Sequence, residues 1–349
     1  MRTPGFLAAV VATIYVAPIR AQTGHAMAQA IPLYTRADPT AIRRALDEGY
    51  LTQPLAMGSV WFRGFQALAT LNVEGLTLLR GELNTGTSGE GYVDRRHPHT
   101  YAHEIMVGGW KSWSLVDASL YAGRGFVPFG SDDPMARPLE KYPVNHHLAQ
   151  ILERLVAIAA VRTGPVVTEV ALFNGDEPLG ARWVPTLSRF GDSWSGRVTF
   201  LPVPGAELSG SAAWVASPEQ PSGHGLDQRK ASVVAQWFNP RAPGTAYALA
   251  EWARTDDRDA GTTINTLHSV LAEGAMCRAG VRLAGRFEHT DRAEEETTLD
   301  PFRTARPATD LSNLGVSRWT TYTAALSALA WQRSVFTARP FVEIARIYT

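Results

Sequence analysis

The sequence predicts an all-β fold, a transmembrane antiparallel up-and-down β-barrel of about 14–16 strands, and three observations predict it. From about residue 50 the chain alternates with period two, polar side chains on one face and apolar or small ones on the other. In 206–217, for instance, Glu207, Ser209 and Ser211 oppose Leu208, Gly210, Ala212 and Trp214. The alternating segments mostly run to about ten residues or more, close to the roughly nine to eleven that an oblique membrane strand needs and longer than the five or six usual in soluble sheets. Tight turns and long polar loops also take turns along the chain, which gives a barrel one short-turned rim and one long-looped rim.

Taken in order, the elements begin with MRTPGFLAAVVATIYVAPIRAQTGHAMAQA. Arg2 gives a positive start, Phe6 to Ile19 an apolar stretch, and Ala21 a small-residue cleavage point. Residues 1–21 are therefore expected to be a secretory signal peptide, with cleavage as late as 30. The alternative is a membrane-spanning helix, but Pro18 interrupts the run, which falls short of the ~20 apolar residues a span needs. Residues 22–47 are expected as an N-terminal periplasmic segment and 48–349 as the barrel. Its strands are expected at 48–57, 59–71, 73–86, 100–111, 113–127, 154–163, 166–175, 193–202, 206–217, 229–239, 245–255, 264–275, 281–290, 314–328 and 335–348. Tight turns fall at Asn72, 111–112, 163–165, 203–205, 240–244, 277–280 and 330–334. Long loops fall at 87–99, 128–153, 176–192, 218–228, 256–263 and 291–313. Trp110, Trp113, Trp194, Trp237 and Trp331 stand near strand ends, where amphipathic rings suit a membrane interface.

Strand parity adds a condition. If the short turns share one rim, the segment 335–348 ends at the other, and an even-numbered barrel of about sixteen strands still lacks one returning strand. The chain also ends ARIYT, without a terminal Phe. The expectation is a barrel without its closing C-terminal strand.

Composition excludes several classes. Lys plus Arg equals Asp plus Glu at 33 each, so no net field draws nucleic acid, and none is expected as a partner. Cys277 is the single cysteine, which rules out an internal disulfide.

The blocks YVDRRHPHTYAHE, FVPFGSDDPMARPLEKYPVNHH, LFNGDEP, FGDSWSGRVTF and WVASPEQ resemble an uncharacterised porin-like outer-membrane β-barrel family of Gram-negative bacteria, over most of the chain from about residue 50. The resemblance implies a single transmembrane barrel. It brings no substrate and no catalytic residue with it.

Histidine clusters at His97, His99 and His103, with His146 and His147 downstream. HTYAHE is not the HExxH order of zinc proteases. On a strand His99 and His103 share a face but lie about 13 Å apart at roughly 3.3 Å per residue, too far for one ion. A metal site would need loops to bring His97 and His99 to His146 or His147. The other reading is histidines hydrogen-bonded to loop carboxylates near the barrel mouth, and no cofactor is expected.

The loop 128–153 is too long for an idle connector. Its second half, HHLAQILERL, is expected to form a short amphipathic helix with Leu148, Ile151, Leu152 and Leu155 on one side. Two placements stay open: folded into the lumen, where Asp132, Asp133, Arg137, Glu140 and Lys141 would form a constriction, or capping the outer rim. The charges within strands, Glu82, Asp117, Arg154, Glu169, Arg197, Glu207, Arg282, Arg286, Glu288, Arg318 and Glu343, are expected to face the lumen, because a charge facing lipid is costly. Together these features point to an outer-membrane channel for passive diffusion of small polar solutes, with lipid and solute as its partners. The alternatives are a barrel that binds divalent metal through its histidines and a barrel-type hydrolase. No enzyme is expected: there is no nucleophile elbow, and Cys277, placed in a tight turn, is expected to be an inert thiol.

Overall fold

The computed structural model describes residues 7–16, 24–38, 45–85, 93–96, 98–131, 137–178, 180–220, 222–242, 244–294, 315–333 and 336–348; of 7–16, 84–85, 93–96, 292–294, 315 and 317 it describes the backbone alone. The strands are β1 (Leu7–Val16), β2 (Gly24–Ala37), β3 (Leu46–Phe62) and β4 (Phe65–Asn72), followed by a helical turn α1 (Glu74–Thr77) and two short strands, β5 (Glu82–Thr85) and β6 (Val93–Arg96). Then come β7 (Ala102–Ser112), β8 (Val116–Gly125), a second helical turn α2 (His146–Ala149), β9 (Arg154–Thr163), β10 (Val166–Phe173), β11 (Ser193–Phe200) and β12 (Ala206–Val215). The last are β13 (Asp227–Phe238), β14 (Ala246–Asp259), β15 (Thr262–Arg278), β16 (Val281–Glu294), β17 (Gly315–Ala328), β18 (Trp331–Arg333) and β19 (Phe336–Tyr348).

Every pairing is antiparallel. β1 to β4 pair in sequence, β4 pairs with β7 across the separate β5–β6 hairpin, and β7 to β17 continue in chain order. β17 pairs with β19, and the three-residue β18 pairs with β19 alone. β19 pairs in turn with β1, from Leu7↔Glu343 to Ile14↔Phe336, so the succession of pairings returns to its start. Without β18, sixteen of the 17 strands in this sheet make up the succession.

The first part of the chain departs from expectation. The segment 22–47 contributes all of β2 and the start of β3 to the sheet. β1, the apolar core of the expected signal, lies between β2 and β19, the position where the strand count fell one short. A strand does end at Asn72, but the tight turn expected there lies at Arg63–Gly64 instead, with φ of 48° and 85°. Two successive positive φ values characterise the two-residue hairpin turn that matches strand twist, so one strand runs through 46–62 where two were expected. The segment 73–86 is not a barrel strand but holds α1 and β5. Likewise 256–263 is not a loop: β14 and β15 run through it and turn at Ala260–Gly261, with φ of 44° and 85°.

Alternation sets the two faces. In β8 Leu120 and Ala122 are exposed, while Tyr121 points inward and donates to Gln66 at 2.8 Å. Ile105 and Val107 of β7, Val170 and Leu172 of β10 and Val198 of β11 continue the exposed apolar face. Among the described residues no helix is long and apolar enough to cross a membrane. The opposite face carries buried Glu251, Glu273, Glu288, Glu343 and Arg286, an arrangement that needs polar partners inside.

Candidate functional site: a loop folded across the interior

The chain between β8 and β9 supplies those partners. Starting from the β8 end, the N–H of Gly130 donates to Ser211 Oγ of β12 at 3.0 Å and that of Ser131 to Glu251 Oε1 of β14 at 3.1 Å. Further on, Glu140 and Lys141 both donate their N–H to the Glu343 carboxylate of β19, at 2.9 and 3.3 Å. Val144 donates to Glu288 Oε2 of β16 at 2.6 Å, and Lys230 Nζ of β13 reaches the carbonyl of His147 at 3.1 Å. Partners spread over strands all around the succession can be met by one loop only from inside it. The loop is therefore folded into the interior, the first of the two placements open above.

Apolar packing fixes the same course. Val127, Phe129 and Ile151 pack with Met106, Val156, Phe173 and Val215; Leu148 and Ala149 pack with Ala253 and Leu267; Leu139 packs with Ala284 and Ala325. The outgoing and returning limbs touch at Gly130, whose φ is +67° and where a Cβ would lie 1.8 Å from the carbonyl oxygen of Ala149. Only glycine fits there. The expected helix over HHLAQILERL shrinks to one turn, because Gln150 is extended (φ −138°, ψ 160°) and Leu155 already belongs to β9.

Of the expected constriction residues, Asp132 and Asp133 lie outside the described residues. Arg137 is buried and donates to Ser131 Oγ. Lys141 donates to Glu82 Oε1 at 2.7 Å, to Tyr50 at 3.0 Å and to the carbonyl of Leu83 at 2.7 Å, which ties the loop to β3 and to the β5–β6 hairpin. Glu82 thus lies on that hairpin and not on a barrel strand. Among the strand charges, Arg197 pairs with Glu169 at 2.6 Å, and Arg286 pairs with Glu273 at 2.6 Å and donates to the carbonyl of Lys141 at 2.8 Å. Glu207, Arg282 and Glu288 share this inward parity, and Asp117 shares it at the short-turn end of β8, where it is exposed. Arg318 does not. It alternates with buried Trp319 and Thr321, lies on the exposed face with Tyr322 and Leu326, and is matched across strands by Asp291 at 3.0 Å. Cys277 falls within β15 and not in the turn.

The histidines are brought together differently from the strand expectation. His97 lies outside the described residues. His99 precedes β7, so the extended spacing to His103 does not apply, and the two rings stand 4.7 Å apart edge to face. At His103 the β4–β7 register slips, with Thr70 opposite Glu104 and Leu71 opposite Ala102. A bulge re-aims a side chain, and it turns His103 inward, where simple alternation would have placed it with Ile105 and Val107. His103 Nδ1 lies 2.6 Å from Glu153 Oε1 and His99 Nδ1 3.8 Å from the same oxygen. Thr100 donates to that oxygen from its N–H at 3.1 Å and its hydroxyl at 2.8 Å, while buried Glu74 accepts the His99 N–H at 3.0 Å. Glu153 holds a φ of +54°, a strained conformation for a residue with a side chain. His99 Nε2 lies 2.9 Å from the Tyr142 hydroxyl. His146 and His147 sit apart, at Pro143 O and Glu177 Oε1, but they line with His99, Glu153 and Glu177 a common cavity. Glu74 and Glu153 carried no signal in the sequence, since their partners lie in distant segments.

Two loop carboxyls are displaced in opposite directions. Burial, then the nearby Glu343 carboxylate, pushes Glu140 up to about 8. Burial would also raise Glu153, but the hydrogen bond from His103 and the adjoining His99 outweigh it and hold the carboxylate well below its usual range.

No family model matches the chain, and no curated protein does. Among solved structures it is similar to OmpF of Salmonella typhi, solved in complex with daunomycin, at 8% identity and a TM-score of 0.45, over 99% of this chain and 97% of that one. An anion-selective porin from Comamonas acidovorans matches at 11% identity and a TM-score of 0.45, over 98% of both chains. OmpT, an outer membrane protein of Vibrio cholerae in its trimer form, matches at 8% and 0.42, over 99% of this chain and 98% of that one. The architecture rests on the strand pairings described above and not on these likenesses.

Proposed function

We propose that the protein is an outer-membrane channel for passive diffusion of small polar solutes, exported through a signal at its N-terminus, with the loop between β8 and β9 setting what passes. The observation that carries this reading is the loop's attachment: strands with an apolar outer face and a charged inner face hold a folded segment inside through Glu251, Glu288 and Glu343. A barrel of about this many strands encloses more space than side chains alone fill, so a segment lying across that space limits the size of solute. Charges of both signs, Arg197 with Glu169 and Arg286 with Glu273, line the wall in pairs and leave only mild charge selectivity.

Planar-bilayer conductance tests this. The intact protein is expected to form stable channels of small conductance, and a variant lacking residues 132–147 channels of larger conductance. No conductance from the intact protein, together with no change on deletion, would overturn the reading.

A further inference from the structure

We propose that His99, His103 and Glu153 form a binding site for one divalent transition ion of the zinc type. Among the described residues these three buried side chains bring a possible ligand atom each to within 4.8 Å of one another. Two imidazole nitrogens and a carboxylate oxygen are a donor set that suits zinc.

Two of the three ligand spacings need little movement. Tetrahedral zinc with ligands at its usual distances spaces the ligand atoms roughly 3.3 Å apart. The 2.6 Å contact of His103 with Glu153 opens by several tenths of an ångström and the 3.8 Å contact of His99 closes by a similar amount. The supporting shell is already in place. Tyr142 meets His99 at Nε2, which leaves Nδ1 as the atom facing Glu153. Thr100 anchors Glu153 twice, and Arg124 Nη2 donates to the Thr100 hydroxyl at 2.7 Å. Such outer contacts orient metal ligands and tune their affinity.

A second observation points to the same ligand. His99 and Glu153 lie in the wall of a cavity that His146, His147 and Glu177 also line, so an approaching cation meets further imidazoles and a carboxylate before it reaches the buried trio. A water from this cavity would take the fourth coordination position. Because Glu153 ends the inward loop while His99 and His103 belong to the entry of β7, the ion would join the loop to the wall.

The test is zinc titration of the refolded full chain by calorimetry, with cobalt(II) as a visible-absorption probe. The expected result is one ion per chain and cobalt bands of four-coordinate intensity. His99→Ala and His103→Ala should abolish stoichiometric binding, and Tyr142→Phe should weaken it roughly 10-fold. Glu153→Gln keeps an oxygen for Thr100 and for His103, and so keeps the loop in place while removing the anionic ligand; it too should lose the ion. Should the histidine variants fail to fold, X-ray absorption of the zinc-loaded wild type decides, with scattering from two imidazoles expected. Absence of binding by the folded wild type, undiminished binding in folded Glu153→Gln, a shell without imidazole, or binding lost only in His146→Ala or His147→Ala would each overturn the proposal.

Discussion

Glu140 lies on the inward loop, outside the strands, beside the Glu343 carboxylate of β19. Its backbone N–H is tied to Glu343, and the same carboxylate, together with burial, raises its own carboxyl to about 8 from the ordinary 4.5. The folded state therefore binds this proton more tightly than the unfolded chain. The stabilisation is complete below the unfolded value near 4.5 and is lost as pH rises through about 8. Loop attachment is expected to weaken between pH 6 and pH 9, seen as faster proteolysis within 137–153 at the higher pH. Glu140→Gln should flatten that dependence, and an unchanged pH profile in this variant would assign the effect to another group.

At the scale of the element, each strand has two unlike solvents. In the middle of β8, Leu120 is 63% exposed on the apolar face, and Ser119 beside it points inward with Tyr121. Leu120→Arg is expected to destabilise the protein in a bilayer by about 2–4 kcal/mol, whereas Ser119→Arg should cost much less, as read from denaturant titrations in vesicles. Equal costs would remove the assignment of the outer face to lipid. Alternation of this kind was legible in the sequence because every second residue repeats it, and the bounds of β9 agree with expectation to the residue. The exceptions have local causes. The turns at Arg63–Gly64 and Ala260–Gly261 are two residues long and interrupt hydropathy too briefly to register, and the bulge at His103 reverses parity without leaving a mark in composition.

In the whole molecule ten residues are claimed twice. Leu7–Val16 is the apolar core of the expected export signal and also the strand between β2 and β19. One folded molecule cannot use it for both. N-terminal sequencing of protein from the membrane fraction separates the two uses. The expected outcome is a mature chain starting after Ala21, which leaves β2 and β19 as edges that another strand must cover, or one starting as late as Ala30, which also takes away the first half of β2. A mature chain that retains Leu7–Val16 would instead make β1 the permanent closing strand and remove the signal-peptide reading.

The sequence by itself determined the class of fold, most of the strands, and the presence of one loop too long to be a connector. These follow from periodicity and length, which are local and repeat many times. It did not determine where the loop goes or what the buried charges are for. Glu251, Glu288 and Glu343 read as isolated acids on separate strands, and only the closed succession of pairings turns them toward one loop. The histidine and glutamate trio was hidden for the same reason: His103 and Glu153 are 50 residues apart, and a bulge, a positive φ and a returning loop bring them into contact. Alternation is written in neighbouring residues, but a site whose parts come from distant segments exists only once the chain has closed around it.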